Sequence, residues 1–166
     1  MALTCALGGG LIRDSIISDG LPLAFTSNFM ILTSLFAALI TVITRRRIKF
    51  NKTITALDAL GLGAFGISGG VRAIAANYSF SGFLFMSLIT GVGGGILRDI
   101  FCGTLPVVLT SDIYAVALLT GSVFFWFLHP IIGIETASYI CIVIIFAIRM
   151  ICYLKKINLP VFTIKD

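Results

Sequence analysis

Leu7-Gly8-Gly9-Gly10-Leu11-Ile12-Arg13-Asp14 and Val92-Gly93-Gly94-Gly95-Ile96-Leu97-Arg98-Asp99 are two copies of one pattern: three glycines, two apolar residues, then Arg-Asp. A second match follows each copy. Leu21-Pro22 corresponds to Leu105-Pro106, and Thr26-Ser27-Asn28 corresponds to Thr110-Ser111-Asp112. The offset is 85 residues from Gly8 to Gly93 and 84 from Pro22 to Pro106, so one residue has been gained or lost in the intervening loop. Two aligned blocks with a single gap between them mark an internal duplication.

The composition places both copies in a membrane. Hydrophobic residues make up 58% of the chain and charged residues 11%, and the mean hydropathy is +1.11. Globular domains carry roughly 45–50% apolar and about 25% charged residues. The excess apolar surface has to face lipid, so the chain reads as an all-α polytopic membrane protein and not as a soluble enzyme. About 20 predominantly apolar residues cross a bilayer as a helix. Runs of that kind lie at roughly 1–17, 24–44, 55–75, 80–102, 112–129 and 134–153. No basic stretch precedes the first run, so no cleavable signal peptide is visible.

The two copies fall in the first and fourth runs, three crossings apart. An odd number of crossings reverses direction, so the repeats are expected to be inverted. Inverted repeats are a common plan for transport proteins, with the working site near the bilayer midplane. The formal charge of +5 reflects topology, and no nucleic-acid partner is expected. Arg45, Arg46, Arg47, Lys49 and Lys52 cluster after the second run, and Lys155 and Lys156 follow the last. Placing basic loops in the cytoplasm puts 103–111 and the C-terminus inside, and 75–80 and 130–133 outside. The chain divides into a first repeat at 1–50, a second at 51–130, and a final helix with its tail at 131–166.

Three consecutive glycines weaken a helix by roughly 1 kcal/mol each relative to alanine. Broken backbone in a membrane is tolerated only where protein or water satisfies it. Gly8, Gly9, Gly10, Gly93, Gly94 and Gly95 are therefore expected to kink or unwind their helices beside an internal polar space. The alternative is close helix packing. Ala59, Gly63, Gly66 and Gly70 fall within a stripe of roughly 60° on one helix, and that stripe is assigned to helix contact alone. Arg13, Asp14, Arg98 and Asp99 are the candidate pore or substrate-binding residues, because ionisable groups inside a span usually face a cavity and pair. Adjacent helical residues point about 100° apart, so the arginine of one copy is expected to pair with the aspartate of the other. A purely structural ion-pair latch is the competing role. Asn28 and Asp112 are natural helix N-caps.

Other chemistry has no foothold. Gly91-Val92-Gly93-Gly94-Gly95-Ile96 has isoleucine where a dinucleotide fingerprint needs its last glycine, and it lies in a lipid-length run with no βαβ context. His129 is the sole histidine and stands at a span end before Pro130. Cys5, Cys102, Cys141 and Cys152 lie in or beside apolar runs without metal-ligand spacing, and read as free thiols. No metal site, cofactor or catalytic constellation is expected.

The paired Gly-Gly-Gly-x-x-Arg-Asp blocks, each followed by Leu-Pro, resemble the prokaryotic trimeric intracellular cation (TRIC) channel family, also known as the glycine transporter domain family. Leu57-Asp58-Ala59-Leu60-Gly61, with Phe65, Ser68 and Gly69, resembles that family's repeat opening. The resemblance covers nearly the whole chain. It implies two inverted three-helix repeats plus a final helix, a homotrimer in the bacterial or archaeal plasma membrane among its lipids, and one pore per subunit. It also implies passive permeation of monovalent cations, chiefly potassium. In that family the glycine motifs bend the second and fifth helices. The first helix of the pattern, resembling 57–75, would stand before the first glycine block, and is missing from this sequence, which starts at Met1. A carrier for glycine is the alternative function, since broken helix ends beside Arg and Asp could hold a zwitterion. A truncated, non-conducting membrane scaffold is a third.

Overall fold

The computed structural model describes residues 2–17, 21–26, 28–44, 51–110, 112–155 and 157. Ser27, Arg45, Arg46, Arg47, Lys49, Ser111 and Lys156 lie outside the described residues, as do the side chains of Cys5, Lys52 and Asp112. Helix is the only regular structure among the described residues: α1 (Ala2–Ile17), α2 (Leu23–Thr26), α3 (Asn28–Thr44), α4 (Asn51–Ala75), α5 (Phe80–Phe101), α6 (Val107–Thr110), α7 (Asp112–Ile132) and α8 (Ile134–Lys155). A bilayer core supplies no water to satisfy the backbone, so these Leu-, Ile- and Phe-rich runs close their hydrogen bonds within each helix.

Among the described residues, four stretches are long and apolar enough to cross a membrane: Thr55–Ala75, Phe80–Phe101, Ile113–Ile132 and Ile134–Lys155. Of the first two expected spans, α1 is described over 16 residues and α3 over 17, both bordered by residues outside the described ones. The expected second span starts late. Residues 24–26 belong to α2, a single turn following Pro22, in which the Phe25 N–H donates to the Pro22 carbonyl at 2.9 Å. The second copy repeats this device after Pro106, where Leu109 N–H donates to the Pro106 carbonyl at 2.9 Å. Both copies thus run long helix, short turn, long helix. The helices that follow are described from Asn28 and Asp112 onward, and the residues ahead of them are undescribed.

The fifth expected span ends later than its sequence suggests. α7 runs through Pro130 to Ile132, because a proline in the last turn deprives only the Trp126 carbonyl of its helical donor. Gly133 then stops the helix at φ +85°, its N–H donating to the His129 carbonyl at 3.0 Å. Glycine adopts that left-handed geometry without steric cost, and α8 starts at the next residue.

α5 is the centre of the bundle. It packs on α4, α1 and α7, while α8 closes against α4 and α7. Phe83, Phe125, Leu62, Ile67, Met86, Leu118 and Ile145 are completely buried at these contacts. Ser87 of α5 and Ser122 of α7 share a buried hydrogen bond of 2.6 Å. Small residues on α4 let three helices approach it. Gly63 faces the Ile142 backbone of α8, Gly66 faces Leu118 of α7, and Gly70 faces Phe83 of α5; Ala59 is fully buried on the same helix. At the α4–α5 turn, Phe80 and Phe83 meet Trp126 at 5.3 and 5.1 Å. His129 stacks on Phe125 and stands edge-on to Trp126, in the manner of an aromatic belt at a membrane edge. Cys141 is a buried free thiol and Cys152 a partly buried one. The outer faces are largely apolar, with Leu32, Phe36, Ile43, Phe85, Phe127 and Val143 all exposed.

Candidate functional site

The two glycine blocks meet each other. Gly8 and Gly9 of α1 lie directly on α5, where a Cβ on Gly8 would stand 2.7 Å from Leu97 Cδ1 and 3.6 Å from Gly94 Cα. A Cβ on Gly9 would collide with the Thr90 carbonyl oxygen, and one on Gly93 would approach Gly9 Cα to 3.4 Å. Gly8 meets Leu97 while Gly93 meets Ile12, so the order of contacts is antiparallel, as expected of copies three crossings apart. The expected unwound turn is absent. Both blocks are helical from end to end, and at Gly8, Gly9 and Gly93 the neighbouring helix takes the space a side chain would need. Gly10 and Gly95 are the outliers. A Cβ on Gly10 would meet only Arg13 Nη2 at 3.9 Å, and one on Gly95 only the Tyr114 hydroxyl at 3.7 Å.

The expected cross-pairing of charges also gives way. Arg13 holds Asp14, with both Nε and Nη2 2.7 Å from Oδ1, and Arg98 Nε holds Asp99 Oδ1 at 2.8 Å. The reason is the antiparallel crossing. Each pair lies about four residues past it, roughly 6 Å of rise, in opposite directions. The pairs thus stand on the order of 12 Å apart along the bundle, and each flexible arginine folds back onto its neighbour. α4 reaches both. Arg13 Nη1 donates to Ser68 Oγ at 3.5 Å, and Arg98 Nη1 meets Asp58 Oδ1 at 3.2 Å. Arg13, Asp14 and Asp99 are buried and Arg98 is partly so.

Asp99 does further work on the backbone. Its Oδ2 accepts the Val107 N–H at 2.9 Å, where α6 begins, and its carbonyl accepts the Thr104 N–H at 3.0 Å. The second charge pair therefore ties α5, α4 and the α5–α6 connection together. Beside it runs a crevice lined by Val92, Gly95, Ile96, Val107, Val108 and Tyr114, too narrow for a water molecule.

Three further residues join this cluster. Asp58 was legible as part of a motif but not as a partner of Arg98. Tyr114 lies 4% exposed on α7 and lines the same crevice as Arg98 and Asp99. The Arg149 guanidinium sits 4.5 Å above the Tyr114 ring centroid. A signal for Arg149 was present, since an arginine inside the last apolar run meets the same criterion that singles out Arg98. Tyr114 carried none, because a tyrosine near a span end reads as an interfacial anchor. No group of residues suited to a metal ion occurs among the described residues.

Residues 1–46 and 55–130 match a family model described as glycine transporter. The chain belongs to this family. Among glycine transporter family relatives, a UPF0126 inner membrane protein of Escherichia coli, YadS, is 31% identical over all of this chain and 82% of its own length. A UPF0126 membrane protein of Deinococcus radiodurans is 34% identical over 75% of this chain and 60% of its own length, so this chain spans less than two thirds of that relative. Two solved structures carry the fold. A TRIC cation channel studied for its conductance superposes with a TM-score of 0.88 at 28% identity, covering 99% of this chain and 82% of that one. A trimeric TRIC orthologue from Rhodobacter sphaeroides gives 0.86 at 27%, covering 93% and 80%. This member of the glycine transporter family is thus an all-helical membrane protein with the TRIC channel fold.

Proposed function

We propose that the chain forms a passive path for monovalent cations, chiefly potassium, across the plasma membrane. It works as a homotrimer with one path per subunit, its C-terminus in the cytoplasm, built from repeats at 1–50 and 51–130 and a final helix at 131–166. The supporting observation is the placement of charge. Two Arg–Asp pairs stand on opposite sides of a glycine-lined helix crossing inside a mostly apolar bundle. Ionisable groups at such depth are costly and mark transport routes, and the likeness to conducting TRIC channels agrees. Arg13 and Arg98 act as movable plugs, each held by its aspartate. The exposed apolar face of α3, with Leu32, Phe36, Leu39 and Ile43 uncovered, suits a subunit or lipid contact.

The test is reconstitution of purified protein into liposomes. Potassium flux that rises in proportion to concentration, without saturating, is the expected result, and no flux above empty vesicles rules the reading out. A second reading, a carrier for glycine, draws on one feature: each site offers equal numbers of positive and negative groups, as a zwitterion requires. Saturable glycine uptake in the same vesicles would favour it over the channel. A protein that moves neither is a membrane scaffold.

A further inference from the structure

We propose that a slot along α5 holds one acyl chain of a bilayer phospholipid. The slot is an apolar cavity of about 200 Å³ between α5, α6 and α7. Phe85, Leu88, Ile89, Val92, Gly93 and Ile96 of α5 line it. At i, i+3, i+4, i+7, i+8 and i+11 these residues share one face of a helix, and together they span roughly 16 Å of its axis. Val108 of α6 and Ala115 of α7 complete the lining. Phe85 is exposed, and Leu88, Ile89 and Ile96 are half-buried, so the slot opens on the outside of the bundle.

Three features select the occupant. The lining side chains carry no polar group, and a water held in a cavity needs about two to four polar partners. An empty hollow would deprive the lining atoms of their dispersion contacts, so apolar matter from outside completes the slot. The second feature is direction. Phe80–Phe101 is long and apolar enough to cross a membrane, so a slot along its axis runs across the bilayer, as lipid tails do. A compact molecule or a single side chain would leave most of that length unfilled. The third is continuity. Phe85 and Val116, at 56% and 44% exposed, join the slot to the apolar outer surface of the bundle, where lipid tails are the abundant apolar species.

The duplication supplies the variant that tests this. At the repeat offset that aligns Asn28 with Asp112, Ala115 corresponds to Ile31. A115I therefore places the first copy's larger side chain against the slot. Purified protein is reconstituted into vesicles of phosphatidylcholine and phosphatidylglycerol, with a small fraction of phosphatidylcholine bearing a diazirine on one chain. Illumination fixes the label, and the labelled peptides are located by mass. Wild type is expected to carry more label within residues 85–96 than on the exposed stretches of α3 and α8. In A115I the added carbons take the place of about three chain methylenes, so label within 85–96 should fall about tenfold, with α3 and α8 unchanged. A115V, with fewer added carbons, should fall between, and it decides alone if A115I does not fold.

A second readout is melting of delipidated protein in detergent. Added phosphatidylcholine should raise the melting temperature of wild type more than that of A115I or A115V. Equal labelling of wild type and the variants overturns the proposal, as does wild-type label within 85–96 no higher than on α3 and α8, or an equal lipid effect on melting. An intersubunit disulfide formed by I89C, in a background without native cysteines, would put a second copy in the slot and overturn it too. Both readouts report lipid contact and not ion flux, so they decide this proposal whether or not the permeation reading stands.

Discussion

Substituting Gly9 by alanine separates close packing from kinking as the purpose of the glycine block. Alanine in a helix interior is worth about 1 kcal/mol over glycine, so a glycine present only to loosen the helix should yield a more stable protein when replaced. At Gly9 the added methyl would collide with the Thr90 carbonyl oxygen and come within 3.2 Å of its carbon. These are backbone atoms of another helix, which cannot turn aside as a side chain can. α1 has to withdraw by about 1 Å, and a gap of that size forfeits a quarter to a half of each dispersion contact along the interface. Overpacking of this kind costs about 1–3 kcal/mol, which outweighs the propensity gain and leaves a net loss of about 1 kcal/mol. Gly10→Ala is the internal control, because its methyl meets only Arg13 Nη2 at 3.9 Å. It should stabilise by up to about 1 kcal/mol. Equilibrium unfolding in mixed detergent and denaturing micelles should therefore place G10A above wild type and G9A below it, about 2 kcal/mol apart. Equal stability of the two variants refutes the packing argument.

Three other substitutions have defined outcomes. Ser87→Ala leaves the Ser122 hydroxyl without its buried partner and should cost about 1–3 kcal/mol in the same unfolding assay, while S87A/S122A recovers part of the loss because no polar group is stranded; a double variant at least as damaged as the sum of the singles contradicts this. Asp99→Asn removes the charge facing Arg98 but keeps an acceptor for the Val107 N–H. It should cost roughly 1–2 kcal/mol, below the usual penalty for a broken buried pair because Arg98 retains Asp58 and some solvent, and a melting temperature equal to that of wild type counts against the latch. Gly133→Ala forces an L-residue to φ +85° with open space around it, so the loss of about 1–2 kcal/mol should show as earlier melting, and an unaltered melting curve would mean that the α7–α8 turn tolerates another geometry.

Much of the site was legible in the chain because its signals are linear. The repeated Gly-Gly-Gly-x-x-Arg-Asp blocks locate the two helices that cross, and a span-length apolar run betrays any charge inside it. Where a glycine's bare backbone points is not linear information. Gly9 and Gly10 are equivalent in sequence, yet one is covered by the Thr90 carbonyl and the other meets only the end of the Arg13 side chain. The partner of Arg98 is not legible in the sequence for a related reason. The antiparallel crossing carries Arg13 and Arg98 away from each other, and only α4 and α7 bring Asp58 and Tyr114 alongside.

Membrane residence, helical class and the inverted duplication followed from the amino-acid order by itself, since lipid exposure sums over composition and a repeat is a pattern along one dimension. The tertiary structure alone decided that Gly8, Gly9 and Gly93 lie where α1 and α5 come together, that each arginine folds onto its own aspartate, and that Tyr114 and Arg149 join the second cluster. Those outcomes depend on which helix surfaces come within a few ångströms, and that is settled by the mutual packing of helices far apart in the chain.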